Sequence, residues 1–269
     1  MSNIACVVPI YHSSDILFNF TKETIESIKS ANHNIYLYII VNYSTKELYP
    51  YPEKFNLDPC IKFTQILENP KGNEVGASWN YGIKQALKDG CDYVMVLNND
   101  LVLNKLCVDN LVSFAEDHKE FIMWTASEWL KKETLHTTGN VYSFSEYPHF
   151  SYFMVNKKTI DTIGWFDENL KMAYFEDCLY HYQIIVLGQK AGKTESAKFY
   201  HYGSRSIKTD DNLYDKNKRS YEDNRAYVIK KCGFDPHEKV YVPPESMLEV
   251  GFKFPFNDKK KNWKGLVIC

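Results

Sequence analysis

The chain has 269 residues, 44% hydrophobic and 25% charged, with a net charge of −2 from 32 basic and 34 acidic side chains. That is apolar material for one large core, or for a main domain with a small appendage. The overall field is too weak to recruit nucleic acid, so charge-driven chemistry has to be local. No stretch approaches the roughly 18 consecutive apolar residues of a membrane span. The opening MSNIACVVPIY lacks the basic and long apolar regions of a signal peptide. Seven cysteines, an odd and scattered set without a close pair, suit reduced thiols better than a disulfide framework or a zinc site. The expectation is a soluble, cytoplasmic protein with no transmembrane segment.

In chain order, IACVVPI is a β-branched apolar run closed by proline and reads as a buried strand. Apolar spacing predicts a helix over 18–31, and IYLYIIV a second strand over 35–41. Together they have the size of one βαβ unit. IKFTQIL (61–67) predicts a third strand. A glycine-punctuated loop, a helix over 75–88 and the strand DYVMVL follow. Such alternation predicts an α/β fold with a mostly parallel central sheet and helices on both faces. Further helices are expected at 104–118, 157–163, 177–188 and 214–231, and strands at FIMWTA and HFSYFMV. The proline-punctuated residues 233–269 read as an extended C-terminal tail packing on a domain of residues 1–232.

The stretch DYVMVLNNDLVLN sets Asn98, Asn99 and Asp100 straight after a buried strand. Polar groups cannot extend such a strand without desolvation costs of about a few kcal/mol each. They should emerge at the carboxyl end of the sheet, where open α/β folds place ligands. There Asp100 could hold a hard cation such as Mg²⁺ or Mn²⁺ bridging a diphosphate, although an Asx-rich turn would look the same. In KGNEVGASWNYGIKQAL, Asn73, Gly76, Ser78, Asn80 and Gly82 open a helix whose first amides favour an anion. Glu176 and Asp177 precede another helical run, where they could equally answer the helix dipole. His201 follows the apolar AKFY and could act as ligand or base.

In this order the stretches VVPIYH, VNYST, ENPKGNEVGASWNYGI, GCDYVMVLNND, TIGWFDENLKMAYFEDCLYHYQIIVLG and HYGSRS resemble a GT-A-fold, Rossmann-like glycosyltransferase of family two, close to its rhamnosyltransferase-like branch. The resemblance covers residues 4 to 206. It implies an inverting, metal-assisted transfer from a nucleotide-sugar donor, UDP favoured, to a glycan or glycoconjugate acceptor. By the same resemblance Pro9 and Tyr11 would border the base, with His12 where the family has Asn, and Asn42 would read the base where an Asp is common. Asn98 and Asn99 would bind ribose or diphosphate, Asp100 and His201 the cation, and Asp177 of the Glu176–Asp177 pair would take the acceptor proton. Cys178 stands where an Asp is common. Trp124, Trp129, Trp165 and Phe175 are candidates for a sugar-stacking wall, Trp165 first because Gly164-Trp165-Phe166-Asp167 resembles the family's acceptor loop. A non-catalytic module derived from such an enzyme and a sugar nucleotidyltransferase are the rival readings. The latter lacks its basic glycine-rich turn in PIYHSSDI.

Overall fold

The computed structural model describes residues 2–72, 74–137, 143–145, 148–203, 209, 211–233, 235 and 236, with two short strands at 262–263 and 266–267. Most of the expected tail, and Ser204 to Ser206 of HYGSRS, lie outside the described residues. The elements are β1 (Asn3–His12), α1 (Asp15–Ser27), β2 (Asn34–Ser44), β3 (Ile61–Glu68), α2 (Val75–Lys88), β4 (Tyr93–Leu97), β5 (Leu101–Leu103), α3 (Cys107–Asp117), β6 (Met123–Glu128), β7 (Phe144–Ser145), β8 (Tyr152–Val155), α4 (Lys157–Ile163), α5 (Glu176–Val186), β9 (Ala191–His201) and α6 (Asp211–Cys232).

The main sheet runs β3-β2-β1-β4-β8-β6-β9-β5, with β7 also paired to β9. β3, β2, β1 and β4 are mutually parallel. β8 is antiparallel to both β4 and β6, β9 is parallel to β6, and β5 and β7 are antiparallel to β9. Most strands therefore point one way. The alternation of β1, β2 and β4 splits the core. Val7, Tyr38, Ile40 and Val96 face α2, α4, α5 and α6; Cys6, Ile39, Met95 and Leu97 face α1 and α3. Both faces are covered, which is why these strands read as continuous apolar runs.

Three features depart from the sequence-based expectation. α1 starts at Asp15 and stops at Ser27, because Ile28 is already extended. The helix expected over 104–118 begins only at Cys107, since 104–106 form a turn in which Leu106 N donates to Asn104 Oδ1 at 3.1 Å and Cys107 N to Asn104 O at 2.9 Å. An eleven-residue strand, β9, follows α5 where only a short apolar segment was visible. On its other side β5 is met by hydroxyls of α1: Thr24 Oγ1 donates to Leu101 O at 2.8 Å and accepts from Leu101 N at 2.9 Å, and Ser27 Oγ accepts from Leu103 N at 3.0 Å. The outward N–H and C=O of Leu101 and the N–H of Leu103 are thus bonded to α1.

α2 can lie against β1 only because residue 82 has no side chain. A Cβ there would sit 2.3 Å from Val7 Cγ1. Gly82→Ala should destabilise the fold by about 1–3 kcal/mol, the usual cost of overpacking a core. A urea midpoint unchanged from wild type would contradict this.

Candidate active site

The carboxyl ends of β1, β2 and β4 open onto a cavity of about 330 Å³. The register of β1 with β2 slips between Ile10 and Tyr11: Ile10 pairs with Val41 and Tyr11 with Tyr43, leaving Asn42 as a bulge residue. Bulges re-aim a side chain beside a site, and Pro9, Tyr11 and Asn42 all line the cavity. Asn42 Oδ1 accepts from Asn69 Nδ2 at 2.7 Å and lies 2.8 Å from Ser78 Oγ. Tyr11 packs on Tyr43, ring centroids 5.0 Å apart.

Asn98, Asn99 and Asp100 follow β4 on the same wall. A buried relay fixes Asn99. His12 Nδ1 lies 3.0 Å from Leu48 O, which can only accept, so His12 Nε2 accepts from the Thr21 hydroxyl at 2.9 Å and Thr21 Oγ1 accepts from Asn99 Nδ2 at 3.0 Å. Burial lowers the His12 pKa to about 4, so the ring is neutral. Asp100 is buried, and its Oδ1 accepts from His201 Nε2 at 3.1 Å. His201 ends β9 and Asp100 immediately precedes β5, so the pairing of these two strands brings the side chains together. Tyr202 N donates to Asp100 O at 3.0 Å, one rung further on.

Glu176 and Asp177 open α5 on the opposite wall. The chain reaches them through a strained turn in which Met172 (φ 58°), Tyr174 (φ 83°) and Phe175 (φ 75°) are all left-handed. Such residues cost about 1–3 kcal/mol each and persist where surrounding structure over-determines them. Here the restraint is Asn224 of α6, whose Oδ1 accepts from Lys171 N at 2.8 Å while its Nδ2 donates to Lys171 O at 2.8 Å. Val75 N adds a bond to Met172 O at 2.8 Å, so the first amide of α2 is engaged. Glu176 is 8% exposed. Burial first, and the Asp177 charge second, push its pKa up to about 8. Burial also raises that of Asp177, while the Cys178 amide, donating to Oδ1 at 2.8 Å, and nearby His149 favour its ionised form.

The cavity therefore gathers Pro9, Tyr11 and Asn42, Asn98 to Asp100, Glu176, Asp177 and His201. Asn73 lies outside the described residues. Gly76 and Asn80 are not on its lining. A Cβ on Gly76 would come within 3.3 Å of Asp167 O, and Asn80 pins the 166–168 loop, donating to Phe166 O and Glu168 Oε1 at 2.9 Å each and accepting from Phe166 N at 3.0 Å. Trp165 packs against the core. Trp124 and Phe175 are buried, and Trp129 donates to Thr134 Oγ1; none of the four aromatic candidates is on the lining. The tryptophan that does line it is Trp79, set between Ser78 and Asn80 in the first turns of α2, beside Tyr11, Phe150 and Tyr174. The sequence reading also missed His149 and Ser151, which precede β8, and Asn217 of α6. His149 Nε2 pairs with Glu128 at 3.0 Å, and Ser151 Oγ lies 3.4 Å from His201 Nδ1. In α6 the i, i+7 spacing of Asn217 and Asn224 between the buried Leu213 and Val228 was the available signal.

This fold and this cavity, at the carboxyl ends of parallel strands, define a GT-A-type glycosyltransferase fold. Residues 5–166 match Glycosyl transferase family 2, and the chain belongs to that family. Among solved structures it resembles the crystal structure of GalNAc-T7 with UDP, GalNAc and Mn²⁺, with a TM-score of 0.56 and 11% identity over 74% of this chain and 43% of that one. It also resembles that of S. aureus TarS, with a TM-score of 0.53 and 16% identity over 76% of this chain and 37% of that one. The chain thus spans less than half the length of these neighbours, and at such identities the likeness concerns the fold. Compared by sequence with curated proteins, the chain matches none. No helix among the described residues is long and apolar enough to cross a membrane.

Unfolded, Glu176 titrates near its ordinary 4.5; folded, it keeps its proton up to about pH 8. Between these values the native state holds a proton that the unfolded chain lacks, so this residue makes stability fall as pH rises. Glu176→Gln should remove that slope and melt above wild type at pH 8, with the gap closing towards pH 5. Parallel melting curves of the two proteins across this range would refute the assignment.

Proposed function

We propose that the chain transfers a sugar from a nucleoside diphosphate donor, a UDP-sugar before others, to a hydroxyl of a glycan or glycoconjugate acceptor, with inversion at the anomeric carbon. The observation that supports this most is the convergence on one cavity of the Asp100–His201 pair and the Glu176–Asp177 pair, from segments far apart in the chain. Catalytic groups have to converge on the reacting atoms. Membership of the family supports a glycosyl transfer; the roles below are our reading.

Tyr11 flanks the base. Asn42, its carbonyl oxygen already occupied, offers its amide N–H groups to a base carbonyl. Asn98 and Asn99 serve the ribose and diphosphate. Asp100 and His201 would hold a divalent cation, Mn²⁺ or Mg²⁺. Their Oδ1 and Nε2 atoms, 3.1 Å apart, match the spacing of about 3.0 Å between adjacent ligands of an octahedral ion with bonds of about 2.1 Å. No group of three or more His, Cys, Asp or Glu suited to a metal occurs among the described residues, so the donor's phosphates and water would supply the other ligands. When bound, the ion supplies charge neutralisation for the departing diphosphate.

With Glu176 protonated, the negative charge of the acidic pair rests on Asp177, half-buried where Glu176 is buried, beside the Cys178 amide. Asp177 takes the acceptor proton as the new bond from that oxygen to the anomeric carbon forms. The old bond to the phosphate oxygen breaks, and its electron pair leaves with the nucleoside diphosphate. A raised carboxylate pKa makes a better base at neutral pH. The donor sugar we favour is a hexose or deoxyhexose, following the branch that the motifs resemble, and the six free cysteines among the described residues are compatible with a cytoplasmic setting.

UDP-, dTDP- and GDP-sugars titrated with and without Mn²⁺ test the proposal, since a ligand at 100 times its Kd stabilises by about 2.7 kcal/mol. Asp177→Asn should bind the donor as wild type does and lose about 10²–10⁴-fold in turnover. Asp100→Ala should lose the Mn²⁺-dependent part of donor binding. Wild-type protein that binds donors yet neither transfers nor hydrolyses any would point instead to a binding module. Asp100→Ala with donor affinity unchanged in both conditions would remove the cation from the scheme.

A further inference from the structure

Two buried polar atoms in residues that line the cavity have no hydrogen-bond partner among the described residues: Trp79 Nε1 and Asn217 Oδ1. Their side chains belong to residues only 3% and 4% exposed, and both residues line the cavity. A buried polar group without a partner costs about 1–3 kcal/mol, so a chain under no other demand would carry Phe and Leu there. An indole N–H can only donate and an amide oxygen can only accept. A hydroxyl, both donor and acceptor, can satisfy either of them. Neither suits a phosphate: an amide oxygen repels it, and charge-bearing contacts would serve better.

Asn217 comes from α6, beyond the residues 5–166 that match the family. Trp79 comes from α2, which carries the glycine-rich opening inside that match. One shared face holds α6 in place: Asn224, two turns after Asn217, clamps the strained turn before Glu176, and Tyr227 donates to the buried Asp167 at 2.8 Å. Asn217 is therefore presented to the cavity by a helix fixed to the same turn that delivers the acidic pair.

We infer that Trp79 Nε1 and Asn217 Oδ1 recognise hydroxyl groups of the donor's sugar ring, which makes them specificity-determining residues, with α6 supplying selectivity that the family-matched core does not contain. This rests on the proposed glycosyl transfer and deepens it: the sugar presents a free hydroxyl to each atom, and a sugar lacking one of them is discriminated against.

Trp79→Phe removes the indole N–H together with the ring that carries it, and Asn217→Leu replaces the whole amide by an apolar group of similar size. Each should leave the affinity for UDP (or for dTDP or GDP, whichever nucleotide the wild type prefers) unchanged. Each should weaken by about 5- to 20-fold the affinity for the best of UDP-glucose, UDP-galactose, UDP-N-acetylglucosamine, dTDP-rhamnose and GDP-mannose, the range expected from losing a neutral hydrogen bond and stranding its partner. Asn217→Leu should also raise the melting temperature without ligand, because it removes an unsatisfied buried oxygen. Donor affinity equal to wild type in both variants overturns the inference while leaving the proposed function intact. A wild-type protein that binds none of these nucleotides or nucleotide-sugars overturns both. A variant that loses UDP binding in the same proportion as donor binding shows a merely structural role and also overturns it.

Discussion

The cavity depends on the pairing of a three-residue strand with the end of an eleven-residue one. β5 holds only Leu101 to Leu103, yet it sets Asp100 against His201, a hundred residues further along the chain. So short a strand has little intrinsic stability. Its outer backbone groups are taken up by the hydroxyls of Thr24 and Ser27 on α1, and Leu101 and Leu103 sink fully into the core beneath, each side chain contributing about 1.5–3 kcal/mol by burial. α1 thus does more than cover one face of the sheet. It completes the edge strand, and through Thr21 and His12 it also fixes Asn99, so one helix supports both the Asp100–His201 pair and Asn99.

The opposite wall is built on a different principle. Left-handed backbone at three non-glycine residues and two adjacent carboxyls with raised pKa values are all unfavourable to the folded state. They are held by buried polar pins from elsewhere. Asn224 grips the turn from α6, and Asn80 grips the 166–168 loop from α2. Asp167 is locked by Asn169 and Tyr227, with Lys231 3.6 Å away. Strain at an active-site turn, restrained by fully bonded polar groups further out, is the pattern expected where rigid presentation of a catalytic group is worth a loss of stability.

Much of this was legible in the residues. β1 to β4 and α2 announced themselves through periodicity, because strands buried on both faces are apolar throughout. Asp100, Asp177 and His201 were legible as motif positions. β9 was not, for a physical reason: its sequence AGKTESAKFYH interleaves lysine, glutamate and serine with apolar residues, since its register against β6 jumps from Thr194 to Lys198 and three residues bulge out. Gly192, which looks like a strand breaker, is there because a Cβ would lie 2.5 Å from the Phe121 ring. β5 was hidden by its length. Aromatic stacking candidates chosen by size pointed to Trp124, Trp129, Trp165 and Phe175, whereas what brings a tryptophan to this cavity is its place in the helix that faces the strand ends. Trp79 has that place, and spacing along α2 would have found it.

Charge supplies the final constraint on the chemistry. Among the described residues lining the cavity there is no lysine or arginine, while Asp100, Glu176 and Asp177 are all present; Arg205 and Lys208 lie outside the described residues. A diphosphate approaching this lining would meet carboxylates with no fixed side-chain cation to offset them, at short range in a medium of lowered dielectric. Two devices reduce that repulsion. Glu176 stays protonated through neutral pH because it is buried beside Asp177, which leaves a single negative charge on that wall. Asp100 is paired with His201, and on the proposed reading a divalent ion held by this pair would accompany the phosphate. The neutral Asn residues at 42, 98 and 99 act in the same direction: amides at these positions offer hydrogen bonds without adding negative charge to the lining.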